Sequence, residues 1–304
     1  MIRRRAAVLG AAAVVDLALG ELPNRWHPVA LLGRAAGCFD RLLTSAGRRD
    51  TATRGVLLTA TAVGLALGGA MGVVRAARGR GAAGFVLEAL ALKQTLAIRA
   101  LFGHAGRVAA ALEAGDLAGA RDAAAMMVSR RTDDLPPGLV ASAAIESLAE
   151  NLSDSVVAPA WWYLAAGLPG AAAYRAVNTL DAMVGYRWRG RFGMVPARLD
   201  DVLNWMPARL TAVSLVMVHP LRAARQVRRL VCDARATSSP NAGWPMAAMA
   251  HVLGVRLEKL EHHVLHAASR EPGAADIRRA QRTGALALAA IALAGATMCW
   301  RIDR

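Results

Sequence analysis

Three long runs without charge constrain the fold of this chain more than any other feature. They cover residues 55–74, 155–174 and 283–300, with lengths of 20, 20 and 18 residues. A helix of about 20 apolar residues crosses the hydrocarbon core of a bilayer. The second run contains Pro159 and Pro169, which predict a broken or re-entrant helix. We therefore expect an all-α, multi-pass protein of the inner (cytoplasmic) cell membrane.

The composition supports this class. Hydrophobic residues make up 55% of the 304 residues and charged residues 19%, whereas soluble domains carry about 25% charge. Aromatic residues are only 5%, which favours closely packed helices over a β-sandwich. We predict a single membrane domain over residues 1–304, with amphipathic helices and polar loops forming the site. Residues 6–15 are expected to be an uncleaved embedded segment, and residues 85–128 amphipathic helix.

The net charge of +15 comes almost entirely from arginine, since Lys93 and Lys259 are the two lysines. The arginines are spread along the chain between apolar runs, whereas a nucleic-acid binder concentrates them on one element. We therefore expect membrane lipid, and no nucleic acid, as a partner. Cys38, Cys232 and Cys299 lie far apart and are interpreted as buried thiols rather than a disulfide framework.

Local signals predict further helix boundaries. Residues 107–121 are typical of two helices joined at Gly115-Asp116, and Pro136-Pro137 predicts the start of another helix. In that next helix Glu146, Glu150 and Asp154 follow at i, i+4 and i+8. In a regular α-helix these three positions spread over only about 80° of the circumference, so the three carboxylates form a stripe on one face. Burying such a stripe of carboxylates beside an apolar run costs free energy unless the carboxylates are ion-paired, solvated or bound to a metal ion.

Two further polar groups suit phosphate chemistry. Arg175, Asn178 and Asp181 recur at i, i+3 and i+6, and Asp200 and Asn204 at i and i+4. Carboxylates hold Mg²⁺ and guanidinium groups grip phosphate oxygens. The alternative interpretation is ion pairing inside a helical bundle, with Arg175 among the partners of the acids.

Two weaker signals remain open. The turn-rich loop 238–245 has backbone amides that could cradle an anion. His262 and His266 form an i, i+4 pair that could bind metal, although a solvated helix face is the plainer interpretation. Phosphate-loop, zinc-protease, serine-hydrolase and dinucleotide-binding signatures are absent from the sequence.

Taken together, these groups resemble the CobD/CbiB family of cobalamin biosynthesis proteins. The matching segments, in family order, are DLALGELPNRWHPVALLG (16–33), ALEAGDLAGAR (111–121), ESLAENLSDSVVAPAWWYLAAGLPGAAAYRAVNTLDAMVGY (146–186), ARLDDVLNWMPARLTA (197–212) and SSPNAGWP (238–245). The resemblance spans about residues 14–257, and the central block is its most specific part.

The resemblance implies a membrane enzyme that makes adenosylcobinamide phosphate. It would join the free propionate of adenosylcobyric acid to (R)-1-amino-2-propanol or its O-phosphate, using ATP and Mg²⁺, alongside other late-step cobamide enzymes. It implies catalytic roles for Glu146, Glu150, Asp154 and Asp181, the first three also as Mg²⁺ ligands. It implies substrate-binding roles for a larger set: His27, Arg175, Asn178, Arg198, Asp200, Asp201, Arg209, Ser239, Asn241 and Gly243.

The sequence also departs from the family pattern, mostly towards its C-terminal end. The departures lie at Arg131, 187–192, Met246, His251 and 258–263. They bear on substrate identity and activity. Two alternatives therefore stay open beside the enzyme: a non-catalytic or regulatory membrane relative similar to AmpE, and a transporter whose intramembrane acids form a permeation path.

Overall fold

A computed structural model describes residues 2–23, 25–44, 51–185, 190–220 and 226–302. Apart from one short hairpin, these residues form helices and the turns and loops that join them. The helices are α1 Ile2–Leu19, α2 Pro28–Thr44, α3 Ala52–Ala77, α4 Gly81–Lys93, α5 Ile98–Glu113, α6 Leu117–Ala125, α7 Pro137–Leu152, α8 Ala158–Val184, α9 Gly190–Leu203, α10 Trp205–Val218, α11 Val227–Ala234, α12 Gly243–Leu253 and α13 Ala274–Ile302. A π-helical turn, Ser153–Val157, follows α7, and strands β1 Leu257–Lys259 and β2 His263–Leu265 pair antiparallel.

The chain forms two compact units, each built from two segments. Unit 1 comprises residues 1–98 and 158–204, and unit 2 comprises residues 99–157 and 205–304. In unit 1, α3 packs on α8 and α9, and α1 packs on α4. The interior there contains many small side chains, among them Ala12, Ala70 and Ala89. Small residues let helix axes approach closely, as the alanine-rich composition predicts.

Helix α8 is broken in its middle, as the two prolines predict. Gly167 has φ 71° and ψ −165°, a conformation available essentially only to glycine. The break frees backbone carbonyls on the preceding turn. Arg5 donates from Nη1 to the carbonyl oxygens of Leu164, at 2.8 Å, and Ala165, at 3.1 Å. A side chain of α1 thereby satisfies acceptors that a continuous helix would use itself.

One of the three uncharged runs forms an uninterrupted membrane-length helix. Among the described residues, α3 alone is both long and apolar enough to cross a bilayer, and it contains the run 55–74. The run 155–174 begins in the π-helical turn and contains the break in α8. The run 283–300 lies within α13, whose described residues do not meet the same criterion. The described residues thus contain one candidate span.

In unit 2, α7 is surrounded by other elements. Every residue from Val140 to Ala149 is buried, and α12, α13 and β1 all pack against this helix. The helix begins at Pro137, as predicted, where a missing amide hydrogen costs nothing. The predicted turn between α5 and α6 is also confirmed, because Gly115 has φ 73° and Asp116 caps α6 by accepting from Gly119 N at 2.8 Å.

Two expectations about local structure were wrong. Residues 257–265 form a hairpin instead of a helix, so His262 and His266 do not share a helical face. His266 instead stacks on the buried His251, with ring centroids 4.1 Å apart. Cys38 and Cys232 are exposed rather than buried. The predicted acid stripe runs from α7 into the π-helical turn, which contains Asp154.

Candidate functional site

A polar cavity of about 220 Å³ in unit 2 brings together several of the predicted residues. We call it the unit 2 cavity. It lies among α7, the hairpin, the start of α12 and the loop before α12. Its polar lining comprises Ser129, Arg130, Glu146, Ser147, Glu150, Asn151, Thr237, Ser238, Ser239, Lys259, His262 and His263. Two carboxylates thus share a small space with four basic side chains.

Glu146 is held in this cavity by cations. Its Oε2 lies 3.1 Å from Arg130 Nη2, and the two side chains are only 7% and 18% exposed. His263 Nε2 lies 3.4 Å from Glu146 Oε1 without forming a hydrogen bond. Ser142 Oγ also donates to Glu146 Oε1, at 3.4 Å. The cation paired with this acid is therefore Arg130, and not Arg175 as the ion-pairing alternative expected.

The three acids of the predicted stripe differ in their positions. Glu146 and Glu150 line the unit 2 cavity, whereas Asp154 does not. Within the described ranges, no three His, Cys, Asp or Glu side chains are grouped closely enough to hold a metal ion. Mg²⁺ commonly binds through one or two carboxylates together with substrate phosphates. The two cavity acids match the number of carboxylates in that mode of binding.

In the loop before α12, two of the backbone amides that could bind an anion already have acceptors. Ser239 Oγ accepts hydrogen bonds from the amides of Asn241 and Ala242, both at 3.2 Å. Arg209 donates to Asn241 Oδ1 at 2.8 Å, and burial lowers the pKa of its guanidinium. These two amides are therefore already occupied, while Gly243 begins α12. Ser238, Ser239 and Ala242 of this loop line the cavity.

A second polar group lies in unit 1, and we call it the unit 1 cluster. Its five side chains form one hydrogen-bonded chain. Arg175 donates to Asn178 at 3.2 Å, and Asn178 donates to Asp200 at 3.3 Å. From the other side, Tyr174 donates to Asn204 at 2.9 Å, and Asn204 donates to Asp200 at 2.9 Å. The predicted i, i+4 pairing of Asp200 with Asn204 is thus confirmed, and Asp200 is the acceptor at the centre of the chain.

Burial sets the electrostatics of this cluster. It raises the pKa of Asp200, although hydrogen bonds from Asn204 and Asn178 oppose the shift. Burial likewise raises the pKa of Asp201, and nearby Arg198, whose Nη1 lies 4.0 Å from the carboxylate, opposes it. Asp200 is thereby poised to hold a proton at a higher pH than an exposed aspartate.

The remaining predicted residues of unit 1 lie outside this hydrogen-bonded chain. His27 is 8% exposed, its Nε2 has no hydrogen-bond partner, and burial lowers its pKa. Asp181 lies on α8, one turn past Asn178. The substrate and catalytic roles assigned to these residues remain predictions.

Several residues of the unit 2 cavity were missed from the sequence. Arg130 was overlooked because it stands in a short segment between helices. Lys259, His262 and His263 fall in the segment 258–263, a departure from the family pattern. His262 was considered only in a metal-binding pair with His266 on one helical face, which the hairpin excludes. The clustering of basic residues in that segment is the sequence feature from which this side of the cavity could have been predicted. Met246, another departure, lines the same cavity, whereas residues 187–189 of the departure at 187–192 lie outside the described residues.

Comparisons with known proteins agree with the sequence motifs. The model of the family described as CobD/Cbib protein matches residues 9–292. A cobalamin biosynthesis protein CobD from Brucella melitensis is 40% identical over 293 residues, covering 89% of each chain. One from Rhodobacter capsulatus is 40% identical over 303 residues, covering 96% of this chain and 95% of the relative.

An archaeal relative extends the comparison. A probable cobalamin biosynthesis protein CobD from Methanothermobacter thermautotrophicus is 38% identical over 264 residues, covering 85% of this chain and 86% of the relative. No solved structure matches the chain significantly. Since both the family match and these relatives span nearly the whole sequence, the chain belongs to the CobD/CbiB family.

Proposed function

We propose that this protein acts in cobalamin biosynthesis as adenosylcobinamide-phosphate synthase, located in the cell membrane with several crossings. It would form an amide between the propionate of adenosylcobyric acid and the amine of aminopropanol or its O-phosphate. The observation that carries this proposal is the unit 2 cavity, in which two acids of the family's most specific segment meet Arg130, Lys259 and two histidines.

The size of the cavity limits what it can hold. At about 220 Å³, it is smaller than a typical pocket for a drug-sized ligand, about 300–1,000 Å³. A corrinoid is far larger, so we assign the cavity to a phosphate group or to aminopropanol phosphate. Arg130 and Lys259 supply the positive charge that such a group requires.

The chemistry begins with the carboxylate, which is a poor acceptor for an amine. Transfer of a phosphoryl group from ATP converts it into an acyl phosphate, and the Mg²⁺ that accompanies ATP would offset the negative charge of the phosphates near Glu146 and Glu150. The amine nitrogen then attacks the carbonyl carbon, and the bond from that carbon to the phosphate oxygen breaks.

The side chains of the cavity have distinct roles in this step. Glu150 accepts a proton from the attacking nitrogen, so the product is a neutral amide. Arg130 and Lys259 bind the departing phosphate. Glu146 acts by positioning Arg130, with which it forms the ion pair described above. Most of the rate enhancement would come from holding the amine against the carbonyl carbon.

Complementation tests this function. A strain lacking the amide-forming step of cobamide synthesis is supplied with cobyric acid and scored for cobamide-dependent growth. We expect wild-type protein to restore growth and Glu150→Gln protein, expressed at an equal level, to fail. Asp134→Asn, an exposed acid, is the matched control and should restore growth.

The alternatives make different forecasts. A non-catalytic relative similar to AmpE would restore no growth in any form. A transporter would restore growth only when corrinoid uptake, and not amide formation, is the missing step. Growth with Glu150→Gln protein would contradict the assignment of Glu150.

A further inference from the structure

We propose that unit 1 contains a binding site for the headgroup of an anionic phospholipid, at the C-terminal end of α3. The site is a cavity of about 500 Å³ that is separate from both polar groups described above. We call it the headgroup cavity, and its polar and glycine lining comprises Arg4, Arg5, Arg78, Gly79, Gly81, Glu88 and Gly167.

The charge of this cavity is strongly positive. Glu88 is its one carboxylate, and that side chain is 8% exposed, ion-paired with Arg4, and accepts a hydrogen bond from Tyr163 Oη at 2.7 Å. Two further guanidinium groups lack such a counterion. Arg5 donates to backbone carbonyls. The amide of Arg78 donates to the carbonyls of Val74 and Arg75, whereas its guanidinium makes no hydrogen bond or ion pair with any described residue. An anionic ligand would supply the missing negative charge.

The start of α4 adds a second, independent feature. This helix of 13 residues begins at Gly81, and the residue before it, Arg80, makes no side-chain capping hydrogen bond. The first amides of a helix lack internal partners and carry the positive end of its dipole. Because Gly81 lines the cavity, these amides are available to an anion there.

The position of the cavity indicates which anion it takes. Helix α3 has 26 residues, or about 39 Å at 1.5 Å per residue, and Arg78 follows its last turn. The end of a membrane-spanning helix of this length lies at the level of lipid headgroups. Val74 and Ala77 of α3, with Leu168, add an apolar wall. A phosphate joined to acyl chains matches both parts of the cavity, whereas free phosphate matches only the charged part.

Titration of the full-length protein with lipid in detergent tests this inference. Bound lipid is counted by native mass spectrometry, using dioleoyl-phosphatidylglycerol, dioleoyl-phosphatidylcholine and inorganic phosphate as separate probes. We expect phosphatidylglycerol to bind at least about fivefold more tightly than phosphatidylcholine, and Arg78→Gln to weaken its binding about fivefold, the effect of one arginine near an anionic membrane surface.

Matched variants distinguish binding of phosphatidylglycerol in the headgroup cavity from nonspecific attraction of an anionic lipid to a basic protein. Arg78→Lys keeps the charge and should bind phosphatidylglycerol within about twofold of wild type. Arg54→Gln removes one charge at the opposite end of α3 and should leave this binding unchanged. Because the side chain of Arg78 has no partner among the described residues, Arg78→Gln should fold normally, which thermal unfolding verifies.

Three results would overturn the inference. They are equal affinity for the two lipids, an equal loss of phosphatidylglycerol binding in Arg54→Gln, and displacement of the lipid by inorganic phosphate at matched concentration. The inference depends on α3 crossing the membrane but not on amide formation, so it can fail while the proposed function stands.

Discussion

Replacing Glu146 with glutamine removes the anion that neutralises Arg130 inside unit 2. The two side chains are 7% and 18% exposed, with 3.1 Å between Oε2 and Nη2. Arg130 Nε is also buried without a hydrogen-bond partner, so the guanidinium has little other compensation. Breaking a buried pair by removing one partner costs about 3–5 kcal/mol. Residual solvent exposure of Arg130 favours the lower end, about 3 kcal/mol.

The assay is thermal unfolding of the purified protein in detergent. At about 2.1 cal/mol/K of unfolding entropy per residue, 1 kcal/mol shifts the Tm of a 304-residue chain by about 1.6 °C. Glu146→Gln should therefore lower Tm by roughly 5 °C. The double variant Glu146→Gln, Arg130→Gln removes both charges and should recover most of this loss. Glu150→Gln, one turn along the same helix, is the control and should shift Tm by less than about 2 °C.

Two outcomes would refute this reasoning. A shift below about 2 °C in Glu146→Gln would mean that the ion pair contributes little to stability. A double variant no more stable than Glu146→Gln would mean that the loss arises from packing around α7 rather than from a stranded cation.

Three further predictions concern stability. Asp276→Asn should lower the free energy of unfolding at pH 7 by about 2 kcal/mol. Burial raises the pKa of Asp276, but hydrogen bonds from Arg270, Gly273 N and Arg279 outweigh burial and hold this pKa below its ordinary value. That contribution should be complete above about pH 4 and be lost as pH falls through the lowered pKa, so the two unfolding curves, measured against pH, should converge in acid. Asp116→Ala removes the α6 cap and should cost about 1 kcal/mol, with growth in the complementation assay unchanged; a larger loss would mean that Asp116 does more than cap. Gly167→Ala should lower Tm by an amount equivalent to about 1–3 kcal/mol because of its φ of 71°, whereas Gly68→Ala, with nothing within 4 Å of the added carbon, should be neutral or stabilising; equal effects would contradict the backbone argument.

Features determined by neighbouring residues could be predicted from the sequence. The turn at Gly115-Asp116, the helix start at Pro137 and the break in α8 follow from local backbone chemistry, and all three are present. Spacing also predicted the hydrogen bond between Asn204 and Asp200, because i and i+4 residues face each other on a helix.

Features that depend on distant segments could not be predicted in this way. Arg130 meets Glu146 from a separate segment, and periodicity carries no information about such a pairing. The hairpin at 257–265 was missed because each strand has only three residues, too few to show alternation. The same hairpin brings His262 and His263 to the cavity, so the basic side of the site was missed together with the fold that creates it.

Direct detection of the amide product tests the central claim. Purified protein in detergent is incubated with adenosylcobyric acid, aminopropanol phosphate, ATP and Mg²⁺, and the corrinoids are separated and weighed by mass spectrometry. Our account predicts a corrinoid heavier by aminopropanol phosphate less one water, formed only with ATP and absent with Glu150→Gln protein. Unchanged adenosylcobyric acid after incubation with folded wild-type protein, supplied in turn with either amine, would contradict it.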